Sequence, residues 1–188
     1  MYIHTMVGYT PLYIAIKACK YDAVSLLLEN GADPNMMMPN RCTLLETTIR
    51  NKDYDLIRLL IGYGANVDQR IYHRGTTALN IAAYAKNLEL CTILLHNGAD
   101  INAKDNLGRT PIYNYLLTGG DQYGISWFVK RGANTNIDVY GDYNCKSNIC
   151  CGMCPRVGMD HKYNMSKQLV SGIMLYNKSS KAKGHILE

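Results

Sequence analysis

Side chains able to do chemistry concentrate near the C-terminal end of the chain. Cys145, Cys150, Cys151 and Cys154, followed by His161, supply thiols and an imidazole within one short stretch. Zinc takes four such donors in a tetrahedron, and Cys151-x-x-Cys154 has ligand-like spacing. Cys145, Cys151, Cys154 and His161 are therefore the set a zinc ion would use. Against this, no second, well-separated Cys-x-x-Cys pair follows, and the adjacent Cys150 and Cys151 cannot both turn easily to one ion. Without metal, the stretch reads as an irregular cysteine-rich segment. Catalysis has less support: the chain has no Gly-rich phosphate loop, no nucleophile elbow and no metalloprotease helix motif, and His4, His73, His96, His161 and His185 are scattered. The expectation is a protein that is not an enzyme and needs no cofactor.

The remaining chemistry is recognition, and the elements that would position it recur. Gly31-Ala32-Asp33-Pro34-Asn35 returns as Gly64-Ala65-Asn66-Val67-Asp68, as Gly98-Ala99-Asp100-Ile101-Asn102 and as Gly132-Ala133-Asn134-Thr135-Asn136, at intervals of 33, 34 and 34 residues. A fixed period of this size marks stacked repeats. An apolar run precedes each glycine (Leu26-Leu27-Leu28, Leu59-Leu60-Ile61, Ile93-Leu94-Leu95, Trp127-Phe128-Val129), so each glycine should end a helix in the left-handed conformation. Upstream, Thr10-Pro11, Thr77-Ala78 and Thr110-Pro111 read as helix starts, with a threonine cap and, in two of them, proline at the first helical position. The second unit has Thr43-Leu44-Leu45-Glu46, the spacing of a capping box.

In the first unit the expected helices are Pro11 to Cys19, with an apolar stripe of Leu12, Ala15 and Ile16, and Asp22 to Asn30, with Val24, Leu27 and Leu28. Neither helix can bury its stripe within the unit alone, so neighbours must stack. The second connector is one residue longer than the first, and the fourth unit takes its extra residue near Thr118-Gly119-Gly120-Asp121, between its helices.

These residues resemble the ankyrin repeat family, whose pattern is Gly-x-Thr-Pro-Leu-His, Ala-Ala, a Leu-Leu pair and Gly-Ala-Asp-x-Asn. The match covers about Val7 to Asn136, with Ala15, Ala82 and Ala83 at the small positions. The histidine of the pattern is replaced by Tyr13, Glu46, Asn80 and Tyr113. The resemblance implies an all-α ankyrin-type solenoid of helix-turn-helix units joined by β-turn or hairpin connectors. Four units are expected in residues 1–137, over about 7–35, 40–68, 74–102 and 107–136. A degenerate fifth repeat or cap would follow in 138–165, then a short helix and flexible tail in 166–188. The chain also looks like the ankyrin proteins of poxviruses and other large DNA viruses, which adds a host-modulating role in the host cytoplasm to the expectations.

Function is then expected to be docking of a partner protein on hairpin tips and the concave helical face. Candidate contacts are Met37, Arg50, Tyr72, Arg74, Tyr84, Lys104 and Asp105, since Arg and Tyr are enriched in hot spots and variable loops carry recognition. Concave positions are expected at Ile14, Ala18, Thr47, Asn51, Ile81, Ala85, Asn114 and Thr118, with Lys17 near the same groove. The net charge of +5 invites a nucleic-acid partner, but residues 1–137 hold 13 Lys/Arg against 11 Asp/Glu, so no nucleic acid is expected. No run reaches membrane-span length and no signal-peptide layout opens the chain, so the expectation is a cytoplasmic monomer with reduced cysteines. Two alternatives stand beside it. One is a zinc-binding interaction module through the cysteine cluster. The other is a truncated remnant of a longer ankyrin or F-box-like substrate adaptor, since the first repeat starts almost at Met1 and neither end has an evident cap.

Overall fold

A computed structural model describes residues 9–38, 42–71 and 74–135. These form eight helices in four pairs: α1 (Pro11–Lys17) with α2 (Tyr21–Glu29), α3 (Leu44–Asn51) with α4 (Tyr54–Gly62), α5 (Ala78–Tyr84) with α6 (Leu88–His96), and α7 (Pro111–Leu117) with α8 (Gln122–Lys130). Each inner helix starts as its sequence requires. The hydroxyls of Thr10, Thr43, Thr77 and Thr110 accept from the backbone N–H three residues on, and Pro11 and Pro111 open α1 and α7. Each outer helix ends before a glycine with positive φ: Gly31, Gly64, Gly98 and Gly132, at 81° to 89°. Inner helices end earlier than the stripe of α1 suggested, at Lys17, because Cys19 turns left-handed (φ 50°); Lys52 and Lys86 do the same at 58° and 55°.

Adjacent residues on one helix serve opposite neighbours. Leu44 and Leu56 belong to the cluster built on Leu12, Ile16, Val24 and Leu28, whereas Leu45 and Ile57 join the cluster that runs through Leu79, Leu94 and Ile112 to Phe128. Each such side chain contributes about 1.5 to 3 kcal/mol on burial. The second unit therefore draws its stability from both interfaces at once.

A second, polar system ties the units along the Gly-Ala-Asp-x-Asn loops. Within a loop, the side chain of Asp33, Asn66 or Asp100 accepts the N–H two residues on, shaping the turn. Between loops, Asn35 accepts from Asn66 N–H at 2.7 Å and donates to the Gly64 carbonyl at 3.0 Å. Asn102 repeats this with Asn134 N–H and the Gly132 carbonyl. Asp68 stands in the same position and accepts from Asp100 N–H, but a carboxylate has no proton to donate.

A backbone bond spans each connector, from Met38 N–H to the Cys42 carbonyl, from Ile71 N–H to Thr76 and from Asp105 N–H to Arg109, and the last two are tightened by Gly75 N–H to Ile71 and Gly108 N–H to Asp105. The second spans one residue more, which is the source of the 34-residue interval. Among the described residues the only ladder element is an isolated bridge, Met37 with Thr43, so the hairpins are turns rather than strands.

The extra residue of the fourth unit is Gly120, inserted between left-handed Gly119 and the α8 cap Asp121. Its cause is Tyr115, which occupies the site of Ala15, Thr48 and Ala82. Its ring, 3% exposed, lies against Phe128, and its hydroxyl donates to Asp121 at 2.6 Å. A Cβ at Gly120 or Gly124 would run into that ring. Gly124 stands where Leu56 and Leu90 stand in the units before it, so the large residue has moved from the outer helix to the inner one. Burial, followed by the Asp121 bond, pushes the Tyr115 phenol up to about 12, and the same bond lowers the Asp121 carboxyl.

Two stability outcomes follow. Asp68→Asn should raise unfolding free energy by about 0.5 to 1 kcal/mol by supplying the missing donor, and Asn102→Asp should lower it by a similar amount, both by urea titration. Tyr115→Ala should cost about 3 to 5 kcal/mol and Gly124→Leu should also destabilise, while the double variant should recover much of the loss; additive losses would refute the exchange.

Candidate partner-binding face

The first three outward-facing positions of each inner helix fall in register across the stack. The fourth helical residues are Ile14, Thr47, Ile81 and Asn114; the seventh are Lys17, Arg50, Tyr84 and Leu117; the residues just beyond are Ala18, Asn51, Ala85 and Thr118. Ile14 is 46% and Tyr84 41% exposed, and Lys17 and Arg50 are exposed. An exposed register thus runs over the first three units at the seventh residue, while at the fourth residue Ile14 is exposed and Thr47 and Ile81 are half-buried. In the fourth unit Asn114 is 3% exposed and belongs to the interior, contrary to expectation, and Leu117 is half-buried.

Connector tips show a second register. Met37, Arg70 and Lys104 each lie six residues after the loop glycine, and all three are exposed. Asp105 does not join them. It is 5% exposed, accepts from the N–H groups of Leu107 and Arg109, and receives the Arg109 guanidinium at 2.7 Å. Asp105 shapes the tip from inside, which corrects its expected role as a contact. Arg74 is half-buried, and its carbonyl accepts from Asn106 N–H at 2.8 Å, so adjacent tips are bonded to each other. Tyr72 lies outside the described residues, as do Cys145, Cys151, Cys154 and His161. Among the described residues no group of three His, Cys, Asp or Glu side chains could hold a metal, and no helix is long and apolar enough to cross a membrane.

Arg50 is only partly available. Its Nε and Nη2 grip Glu46 Oε1, at 2.8 and 2.6 Å, and Glu46 is 2% exposed with Oε2 unpartnered. The expected capping box at Thr43 is half formed: Thr43 caps Glu46 N–H, but the Glu46 side chain turns to Arg50 instead of back to the cap. The complete box is in the third unit, where Asn80 Oδ1 accepts from Thr77 N–H. Asn80 also does what the sequence did not reveal, donating across to the carbonyls of Ala103 and Arg109 in the next connector. Glu46 holds the same register in the second unit, but a carboxylate has no proton to donate to a connector. Nearby, burial and then Glu46 raise the Cys42 thiol.

Pattern reading also missed a ladder at the inter-helix turns. Tyr21 donates to the Asp53 cap at 2.7 Å, and one repeat on the Asn87 cap donates to Tyr54 Oη at 2.6 Å. The Asp53 bond is the main reason the Tyr21 phenol is pushed up to about 12. A tyrosine opening an outer helix one repeat before an Asp or Asn cap is the signal that could have exposed it.

The Arg50 contact makes a stability outcome. Arg50→Ala should cost about 1 to 3 kcal/mol by stranding a buried carboxylate, and the loss should shrink in a Glu46→Gln background; equal losses in both backgrounds, by urea titration, would show that the pair is not the cause.

Comparison with known proteins matches this geometry. The family model described as ankyrin repeats in three copies matches residues 33–105, and the single ankyrin repeat model matches 7–38. An ankyrin repeat protein of Acanthamoeba polyphaga mimivirus is 35% identical over 136 residues, covering 58% of this chain and 23% of that protein. One from fowlpox virus is 30% identical over 128 residues, covering 67% and 38%. The human SH3 and multiple ankyrin repeat domains protein 2 is 35% identical over 104 residues, covering 54% and 6%. The chain spans well under half the length of each of these relatives.

Proposed function

The chain belongs to the ankyrin repeat family, whose repeats are protein-interaction modules, and from that premise we propose that it is a non-enzymatic scaffold that docks a partner protein on its inner-helix face and connector tips. The observation that carries this reading is the pair of exposed registers on a stapled stack. Lys17, Arg50 and Tyr84 line the helices and Met37, Arg70 and Lys104 line the tips, all exposed, with Arg50 also holding Glu46 and Met37 also bridging to Thr43 through its backbone. Rigid presentation lowers the ordering cost of association, so a few side chains on a fixed frame suffice. Tyr84 offers a large, amphipathic surface with little rotamer entropy to lose. On the similarity to ankyrin repeat proteins of mimivirus and fowlpox virus, we extend the proposal to a host-directed role exercised as a cytoplasmic monomer.

The test is affinity capture from cell extract followed by mass spectrometry, with the wild-type chain beside Tyr84→Ala and Met37→Ser. A specific prey should be lost by about tenfold on Tyr84→Ala, the scale of a hot-spot truncation, while circular dichroism melts stay unchanged. Prey that survives both substitutions would remove the inner face from the proposal.

A further inference from the structure

Exposed carboxylates are missing from the inner helices and connector tips of the described stack, whereas exposed cations occur there as well as elsewhere, at Lys20, Lys52, Arg58, Lys86, Lys130 and Arg131. On the inner helices and connector tips the exposed cations are Lys17, Arg50, Arg70 and Lys104. The two carboxylates on those elements, Glu46 and Asp105, have side chains 3% and 0% exposed, each paired with an arginine. Exposed carboxylates lie elsewhere: Asp22, Glu29, Asp55 and Glu89 on the outer helices, Asp121 at the cap of α8, and Asp33 and Asp100 in the loops between units. Within the inner face there is also an order. The seventh-residue register reads Lys17, Arg50, Tyr84, Leu117, two cations followed by an aromatic and an aliphatic side chain, one per unit.

We propose that the partner segment taken up by this face is an extended acidic polypeptide, with two carboxylates followed by two apolar residues at steps of about three. The step comes from geometry. Packed helices lie about 8 to 10 Å apart and an extended chain advances about 3.3 Å per residue, so one repeat corresponds to about three residues. One carboxylate set at that step meets Lys17 and the next the outer edge of Arg50, whose other side holds Glu46, while the apolar residues reach exposed Tyr84 and half-buried Leu117 at the margin of the face. Arg70 and Lys104, at the tips, add to the field that draws the segment in. A nucleic acid is disfavoured, because half of the register is apolar and Tyr84 is its one aromatic ring, too few for stacking along a strand. The inference rests on the docking reading above and specifies what docks.

The probe is a fluorescent peptide with two glutamates three residues apart and, at the next two steps of three, leucine and phenylalanine, in a Gly/Ser background. Controls replace both glutamates with glutamine, or both apolar residues with serine. Anisotropy titration should show the acidic peptide binding at least fivefold tighter than the glutamine control, with the advantage shrinking as salt rises from 50 to 300 mM, as screening requires (about 10 Å Debye length at 0.1 M). Lys17→Glu should weaken it by about fivefold, and Tyr84→Ala should weaken the acidic and glutamine peptides alike. Equal binding of the acidic and glutamine peptides, or tighter binding of a labelled single-stranded RNA of similar length, would overturn the proposal. The docking reading would still be judged separately, by whether Tyr84→Ala releases captured prey.

Discussion

A single helix pair of this chain has apolar side chains directed to both of its neighbours, and it has no way to bury them alone. That constraint governs the rest. Leu44 and Leu45 are consecutive on α3, yet one completes the core beneath the first unit and the other the core shared with the third. The same holds for Leu56 and Ile57 on α4. Because a helix turns about 100° per residue, consecutive apolar positions necessarily face different directions. A run such as Leu-Leu is therefore a two-sided adhesive, and stacking is the arrangement that uses both sides.

Apolar burial is non-directional and would tolerate units sliding on one another. The loops remove that freedom. Asn35 and Asn102, each ending a box, both accept from and donate to the next loop, so they fix the offset between successive units as a hydrogen-bonded register. Asn80 does the same on the opposite side, between an inner helix and the following connector. Where the chain departs from this scheme the physical consequence is local: Asp68 keeps half of the staple, and Glu46 leaves a buried oxygen without a donor.

Period, helix starts and glycine ends were legible in the sequence because each is a local event. A threonine cap or a left-handed glycine needs only its neighbours. What was not legible depended on which of two reachable partners a side chain prefers. Glu46 sits three residues after Thr43, as a capping box demands, but Arg50 lies one helical turn further on and offers a full positive charge, which a backbone N–H does not match. Asp105 looked like a tip contact because it occurs in a variable connector; only the turn geometry shows that two N–H groups and Arg109 enclose it. Asn114 holds a position that is exposed at Ile14 and half-buried at Thr47 and Ile81, and nothing in the repeat pattern marks its full burial in the fourth unit. The migration of bulk from outer to inner helix at Tyr115 and Gly124 was readable only in part, as the inserted Gly119-Gly120 pair.

Arg50 shows why reading a docking face from exposure alone misleads in a structure of this kind. Its side chain is 56% exposed and stands in register with Lys17 and Tyr84, so it belongs to the surface a partner would meet. The same guanidinium is the counter-charge of a carboxylate 3% exposed. A partner carboxylate approaching Arg50 meets a cation already half neutralised, whereas at Lys17 no bond among the described residues competes for the ammonium. Cationic character on the inner face is thus concentrated at its first unit and at the tips. In a solenoid, where each interior contact is one side chain away from solvent, a residue can serve the face and the core together, and its substitution reports on both unless the interior partner is neutralised first.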